Sequence, residues 1–250
     1  MCKVTNRWIA LILVGILINI HPVLAADDNV IPAPANDPHY TDVGFFDMHV
    51  CNWPNRPLFF LALFSSYEYK DLAKVEIFTP EGQSLGTLDF TKYREINQKG
   101  KPLKKAFIKH FEIPKNSTNG WYYALVTMKN GKTYRGEDFV VLREMQRAKN
   151  MIPQPDADQI SMPKQLIWDP VPGAKYYQVF IKDLWEEKQI ISSELLTKPV
   201  FEVPKDLLKA GGYYSWIIHA RDDNENVILG DFNHGSLTDS LEFTIASDNR

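Results

Sequence analysis

Cysteine is nearly absent: the 250-residue chain contains only Cys2 and Cys51. Cys2 lies in a segment that we interpret below as a cleaved signal peptide, so the mature chain is expected to keep Cys51 alone. A single cysteine cannot form a disulfide within the chain, which excludes the disulfide frameworks of small secreted proteins. Hydrophobic cores must therefore hold the fold together, and a hydrophobic content of 44% is sufficient for them.

The chain also lacks an N-terminal apolar run of comfortable membrane-spanning length, because the run from Trp8 to Ile20 is too short. Basic residues precede this run, and Val23-Leu24-Ala25 follows it with small residues at the positions that a signal peptidase reads. We interpret residues 1–25 as a signal peptide, with an uncleaved anchor as the alternative. The mature protein is then exported, periplasmic or extracellular, with no membrane span.

We expect the exported mature chain to begin at Ala26, because Val23 and Ala25 satisfy the small-residue rule at the cleavage site. N-terminal sequencing of the exported protein tests this expectation. Recovery of a chain that retains Met1 would contradict it.

Charge is modest in total but uneven along the chain. The formal net charge is −3, and the loss of Lys3 and Arg7 with the signal peptide would make it −5. Residues 26–149 carry 17 Lys and Arg against 15 Asp and Glu, whereas residues 150–250 carry 9 against 16. This asymmetry favours two separately built units. The acidic balance and the lack of a recognisable nucleic-acid motif predict no nucleic-acid partner.

A basic run from Lys92 to Lys109 contains seven Lys or Arg residues and one acid, Glu95. A run of this kind is more often a solvated loop or an edge strand, in which lysines discourage unwanted pairing. Binding of an anionic polymer is the alternative.

Two segments of the second half carry a family resemblance. They are LIWDPVPGA at 166–174, followed by the alternating Tyr177, Val179 and Ile181, and LKAGGYY at 208–214, followed by the alternating Tyr214, Trp216, Ile218 and Ala220. The two-residue period independently predicts strands with one buried face. The whole segment resembles a fibronectin type III or immunoglobulin-like β-sandwich, with Ala210 where the family usually places proline. The resemblance implies structural core roles for Trp168, Tyr177, Tyr214 and Trp216.

The first half shows the same pattern less clearly. Leu58 to Phe64 is nearly continuously apolar, Gly120 to Val126 is typical of a late strand, and Asn130-Gly131 predicts a type I′ hairpin turn before a further strand at Asp138 to Leu142. The only candidate for an amphipathic helix is Arg143 to Met151. We therefore predict an all-β protein of two tandem antiparallel sandwiches. Its predicted parts are a signal peptide (1–25), a flexible leader (26–39), an immunoglobulin-like sandwich (40–145), a linker (146–162) and a type III-like sandwich (163–248).

Two short motifs match catalytic or metal signatures only superficially. Gly82-Gln83-Ser84-Leu85-Gly86 has the spacing of a nucleophile elbow, but Pro80 before it and the alternation after it predict a hairpin turn. The acidic stretch from Asp222 to Asn226 has Val227 where a calcium loop needs glycine, so we interpret it as a polar turn, with weak calcium binding as the alternative. We predict no catalytic residues, no metal and no cofactor.

The triplet Asp47, His49 and Cys51 occupies alternate positions of a predicted strand, so its side chains would share one face. A metal site is one interpretation, but no fourth ligand is evident. Cys51 is otherwise an unreactive buried thiol or the source of an intermolecular disulfide.

The register of the second sandwich predicts a surface patch. If the alternating residues of its two central strands face inward, Tyr176, Phe180, Tyr213 and Ile217 face outward together and form a contact site, covered by the first unit, the linker or a partner. The sequence thus favours a non-catalytic binding or scaffolding protein that contacts other envelope or extracellular proteins. The alternatives are a carbohydrate-binding accessory protein, with Trp121 and Trp185 as sugar platforms for a polysaccharide, and a periplasmic assembly chaperone.

Overall fold

The computed structural model describes residues 29–223 and 232–247, and within them the protein consists of strands, turns and extended segments without a helix. None of these residues belongs to a helix that could cross a membrane. The predicted signal peptide lies outside the described residues. The first ten strands are β1 (Val30–Ile31), β2 (Tyr40–Thr41), β3 (Gly44–Asn52), β4 (Phe59–Ser66), β5 (Leu72–Phe78), β6 (Ser84–Thr87), β7 (Tyr93–Ile96), β8 (Lys104–Glu112), β9 (Gly120–Met128) and β10 (Thr133–Val140). The other eight are β11 (Ala157–Ile160), β12 (Gln165–Ile167), β13 (Tyr176–Asp183), β14 (Lys188–Ser192), β15 (Val200–Glu202), β16 (Tyr213–Arg221), β17 (His234–Leu237) and β18 (Leu241–Ile245).

Residues 29–142, which we call the first unit, form a sandwich of two sheets. One sheet has the order β1-β10-β9-β5-β6, and the other contains β2, β3, β4, β8 and β7. Alternate residues from the two sheets meet in a single core, where Phe60 of β4 packs against Tyr122 of β9 with ring centroids 5.0 Å apart. Phe46, Met48 and Val50 of β3 face this core, as their alternation predicts.

The second unit, residues 143–223 and 232–247, has its own core. A two-stranded sheet of β12 and β15 covers strands β13, β16 and β18. Trp168 lies between the layers, with its ring centroid 5.3 Å from that of Tyr177 and 6.4 Å from that of Trp216. The hydroxyl oxygen of Tyr214 accepts a hydrogen bond of 2.9 Å from the backbone N–H of Lys209, which fixes the turn before β16. The four residues predicted to be structural are all buried in this core.

The two units share one continuous sheet, which the prediction of tandem sandwiches did not anticipate. Strand β17 pairs with β16 on one side and with β3, in parallel, on the other, where His234 aligns with Val50. The resulting path is β11-β18-β16-β17-β3-β4-β8-β7, with β13 paired to β16 and β14 paired to β13. The first unit's core sheet thus extends directly into the second unit.

The segment 141–150 forms no strand and no helix, so the candidate helix from Arg143 to Met151 is not formed. It is extended because its side chains serve both units. Met145 and Met151 enter the second core, whereas Arg147 donates hydrogen bonds to the side-chain oxygen of Asn52 and the carbonyl of Trp53 in the first unit.

Asn130-Gly131 closes a hairpin, as predicted, but the turn is not type I′, because that turn needs a positive φ at both residues and Asn130 does not have one. Gly131 has a φ of 86°, and the hairpin closes with a 2.8 Å bond from the Met128 N–H to the Lys132 carbonyl. The following strand begins at Thr133, five residues before the predicted start at Asp138.

In the segment predicted to be a flexible leader, Val30 and Ile31 form β1 and pair in parallel with β10.

Candidate functional site

A concave face runs across both units on one side of the shared sheet. It encloses a cavity of about 640 Å³. Residues of β7 in the first unit and of β14 in the second unit line the same cavity, so the sheet curves between them. Sites of this kind, at the junction of two units and with a mixed lining, are preferred places for ligands.

The floor of this cavity is apolar. The first unit contributes Leu61 and Leu63 from β4 and Ala106 and Ile108 from β8, and the second unit contributes Phe180, Ile217 and Leu237. Phe180 and Ile217 are direct cross-strand partners on β13 and β16. The floor is therefore built jointly by strands that are far apart in the chain.

Two histidines flank Phe232 at the centre of the cavity. The ring of His49 stacks on Phe232 with centroids 4.2 Å apart, and the ring of His219 meets it edge-on at 5.0 Å. Burial lowers the pKa of His49 to about 4. Burial and the nearby Arg221 lower the pKa of His219 to about 3. Both imidazoles are therefore neutral at neutral pH, and the centre of the cavity carries no histidine charge.

Polar groups lie around the apolar floor. Arg221 donates a 2.9 Å hydrogen bond to the Gln178 side-chain oxygen, and Gln178 donates in turn to the Ser193 carbonyl at 2.8 Å. Arg94 and Glu95 line the cavity from β7. An apolar centre with a polar border is the usual anatomy of a protein interaction surface.

The predicted patch of four residues is distributed along one sheet face rather than concentrated. Phe180 and Ile217 lie together in the cavity, half-buried. Tyr176 pairs with Arg221 at one end of β16, and Tyr213 lies at the other end, where it packs against Trp185 with centroids 5.5 Å apart. The register therefore places all four on the predicted face, but only two of them share a site.

The two proposed sugar platforms lie far apart in the fold and are both exposed. Trp185, in the turn after β13, is 71% exposed and meets Tyr213 at an interplanar angle of 64°. Trp121 on β9 packs edge-on against Phe139 of β10 with centroids 5.3 Å apart, on the outer face of the other sheet.

A compact cluster of His39, Asp47 and Asp138 lies at the edge of β3. Its donor atoms all lie within 4.8 Å of one another. Burial by itself would lower the pKa of His39, but the carboxylates of Asp138 and Asp37 outweigh this effect and raise it to about 9. The sequence identified Asp47 but missed His39 and Asp138, because the latter two are 99 residues apart and no local spacing connects them.

Cys51 does not join this cluster. It is buried with Phe59 and Phe232, and burial raises the pKa of its thiol to about 12. Oδ2 of Asp47 lies 3.7 Å from Nε2 of His49. Cys51 packs with Phe59 and Phe232 instead. These features match a buried, unreactive cysteine.

The other short motifs of the sequence lie in strands and turns of the two units. Ser84 lies in β6, an antiparallel partner of β5, so the Gly82 to Gly86 motif forms the predicted hairpin. The Asp222 carboxylate caps the turn into β17, although residues 224–226 of the acidic stretch lie outside the described part of the chain. The basic run forms β7 and β8, and β7 is the last strand of the shared sheet, as an edge-strand interpretation requires.

No protein-family model and no curated protein sequence matches this chain. Among solved structures it is similar to Tp47, the 47-kilodalton lipoprotein of Treponema pallidum, with 10% identity, a TM-score of 0.40, and coverage of 81% of this chain and 50% of Tp47. It is also similar to dimeric latent PorU of Porphyromonas gingivalis, with 10% identity, a TM-score of 0.27, and coverage of 82% of this chain and 20% of PorU. A third similarity is to SGBP-B of the Bacteroides ovatus mixed-linkage glucan utilization locus, solved with a mixed-linkage heptasaccharide, with 11% identity, a TM-score of 0.23, and coverage of 89% of this chain and 46% of SGBP-B. The chain spans half or less of each of these proteins.

Proposed function

We propose that this chain is an exported, non-catalytic binding protein that holds a protein partner in the concave cavity across its two units. The observation that carries the proposal is the position of Phe180 and Ile217. These paired side chains lie half-buried on the floor of the cavity, and the apolar side chains of the first unit extend this floor instead of covering it. Apolar surface of this kind, bordered by polar groups, marks contact sites in soluble proteins.

The chemistry of the cavity supports binding rather than catalysis. His49 and His219, its central titratable groups, are neutral and packed against Phe232. Ser84, the serine of the elbow-like motif, lies on a different sheet and donates its hydroxyl hydrogen bond to Glu76 at 2.8 Å. A nucleophile beside a base on a presenting turn, which covalent catalysis needs, is not formed by these residues.

The proposed family of the second unit is fibronectin type III-like. The hydrogen bond between Tyr214 and the Lys209 N–H has the form of a tyrosine corner, and Trp168 fills the space between two sheets. Domains of this class act through surfaces, so the partner is expected to be another envelope or extracellular protein.

The proposal is tested with a charge on the cavity floor. Phe180→Glu in the mature protein is expected to reduce capture of the partner from native envelope extract at least tenfold, because a carboxylate would be buried against apolar side chains. The matched control is Phe139→Glu, which adds the same charge at an exposed phenylalanine on the outer face of the other sheet. A photo-crosslinking side chain at position 180 identifies the protein that touches the floor.

Two outcomes would contradict this proposal. Equal capture by the Phe180→Glu and Phe139→Glu variants would exclude the cavity as the contact site. A lowered melting temperature of Phe180→Glu without loss of any partner would show that Phe180 serves only internal packing.

A carbohydrate-binding function is the second candidate, and the exposed pair of Trp185 and Tyr213 favours it. An exposed indole beside a second ring gives a sugar two apolar surfaces to stack against. Retention on immobilised envelope polysaccharide that is lost in Trp185→Ala but kept in Phe180→Glu would support this function over the first. A chain that is not retained on any such polysaccharide would exclude it.

A further inference from the structure

The cluster at the edge of β3 joins three segments of the first unit. His39 precedes β2, Asp47 belongs to β3, and Asp138 lies on β10 in the opposite sheet, at an inward-facing position between the core residues Tyr134 and Val140. The closest pair is His39 Nε2 and Asp138 Oδ1, 3.1 Å apart. Two ligands about 2.1 Å from one zinc ion lie about 3.4 Å apart in a tetrahedral site, so this pair already has a suitable separation.

The ring of His39 is oriented by a carboxylate on its far side. Its Nδ1 lies 2.9 Å from Asp37 Oδ1, an arrangement in which Nδ1–H donates to the carboxylate. Nε2 then faces Asp138 and is the ring atom free to bind a cation. A carboxylate behind a histidine in this way is the usual outer-shell partner of a metal-binding imidazole, because it fixes the tautomer and increases the basicity of the ligand.

The two carboxylates of the cluster are buried to an extent that requires positive charge nearby. Asp47 is 0% exposed and Asp138 is 2% exposed. Both accept a hydrogen bond from the same backbone N–H, that of Met48, at 2.8 Å each. Burying two anions beside each other is costly unless a cation neutralises them. A divalent cation between these carboxylates would supply that positive charge.

An independent observation comes from His49, which is buried on the other side of Asp47. Its Nδ1 faces the carbonyl oxygen of Phe232 and must therefore carry the proton that donates to it. Its Nε2 is then an acceptor, and it lies 3.7 Å from Oδ2 of the Asp47 carboxylate, which is also an acceptor. A buried imidazole lone pair is thus aimed at the carboxylate of Asp47.

We propose that His39, Asp47 and Asp138 form a binding site for a divalent transition-metal cation, Zn²⁺ above all, with His49 as an additional donor beside Asp47. Imidazole nitrogen combined with carboxylate oxygen suits Zn²⁺, whereas Ca²⁺ and Mg²⁺ prefer all-oxygen sites. Because the ligands come from both sheets and from the segment before β2, the bound ion would clamp the first unit together. The role is structural and does not depend on what the cavity binds.

The test uses the mature full-length protein after treatment with EDTA. Calorimetric titration with ZnCl₂ is expected to give one site per chain, and CaCl₂ and MgCl₂ are expected to give none at the same concentrations. Zn²⁺ should raise the melting temperature by roughly 5 °C or more at saturation, since a ligand that binds only the folded state stabilises it. Co²⁺ in place of Zn²⁺ provides visible absorption bands that report the coordination geometry directly.

Substitutions distinguish the residues that bind the metal from the residues that only lie near it. His39→Gln removes a ligand that is only half-buried, so this variant is expected to fold and to lose the Zn²⁺ site and the Co²⁺ bands. Asp37→Asn should weaken affinity by about 10-fold to 100-fold, the usual effect of losing an outer-shell carboxylate. The matched control is His110→Gln, which removes an exposed histidine from β8 outside the cluster and should leave affinity unchanged.

The proposal fails if the wild-type protein binds no Zn²⁺ at 100-fold molar excess. It also fails if His39→Gln retains wild-type affinity, or if His110→Gln loses the site instead. Asp47→Asn removes a fully buried ligand, so its loss of Zn²⁺ binding counts only if its circular dichroism spectrum matches that of the wild type.

Discussion

Replacement of Trp168 by alanine is expected to lower the free energy of unfolding of the second unit by about 3 to 5 kcal/mol, the usual cost of emptying a large aromatic site. The side chain is 2% exposed and lies between the β12–β15 layer and the main sheet. Its ring contacts Tyr177 and Trp216, so removing it leaves a cavity that these rigid rings cannot fill. A change of this size approaches the total stability of many domains.

Urea melts followed by near-ultraviolet circular dichroism measure the effect. The matched control is Trp185→Ala, which removes the same side chain from a site that is 71% exposed and should change stability by less than about 1 kcal/mol. A loss below about 1 kcal/mol for Trp168→Ala would show that Trp168 does not support the core. Because the two units have separate cores, the variant should melt in two steps, with the second unit unfolding first.

The second large effect is expected at the junction of the units. Asp222→Ala should destabilise the protein by about 3 kcal/mol or more, because several hydrogen bonds to one charged group are lost together. Asp222 Oδ1 accepts the backbone N–H groups of Asn233 at 2.8 Å and His234 at 2.7 Å. Asp222 Oδ2 lies 2.6 Å from His234 Nδ1 and 3.4 Å from Arg143 Nη2. This carboxylate therefore holds the start of β17, the strand that joins the two units.

Two further variants give this prediction its controls. Asp222→Asn keeps a hydrogen-bond acceptor but loses the charge, so its loss of stability should lie between zero and that of Asp222→Ala. Asp239→Ala removes an aspartate whose side chain is 62% exposed and 3.6 Å from Arg147, and such a pair should contribute less than about 1 kcal/mol. Equal melting temperatures for Asp222→Ala and Asp239→Ala would show that the turn into β17 does not depend on Asp222.

The local features of the fold could be predicted because they are encoded within short stretches. The alternation of Tyr177, Val179 and Ile181 and that of Tyr214, Trp216 and Ile218 correctly identified two central strands and their buried face. Asn130-Gly131 correctly identified a hairpin, because Gly131 adopts a positive φ in its loop, although the predicted type I′ geometry is wrong.

The features that the sequence did not reveal depend on contacts between distant segments. The pairing of β3 with β17 joins two strand edges through backbone groups, which any sequence possesses, so side-chain patterns carry no signal for it. The cluster at the edge of β3 also joins distant segments. Asp138 was predicted only as the first residue of a strand, and nothing in its local sequence connects it with His39 or Asp47. The patch of Phe180 and Ile217 was predicted on the right face, but its continuation by Leu61 and Leu63 required knowledge of the shared sheet.

The parallel pairing of β3 with β17 also has a consequence for the order of folding. His49 and Phe232, which meet at this junction, are 183 residues apart, so β3 is synthesised long before its partner strand exists. Domains fold from the N terminus during synthesis, and the first unit can therefore complete its core while the Val50 to Asn52 end of β3 still lacks its neighbour. An unpaired strand edge is a template for another chain. The slow, long-range closure by β17 thus leaves a time window in which newly made chains are most prone to associate with each other.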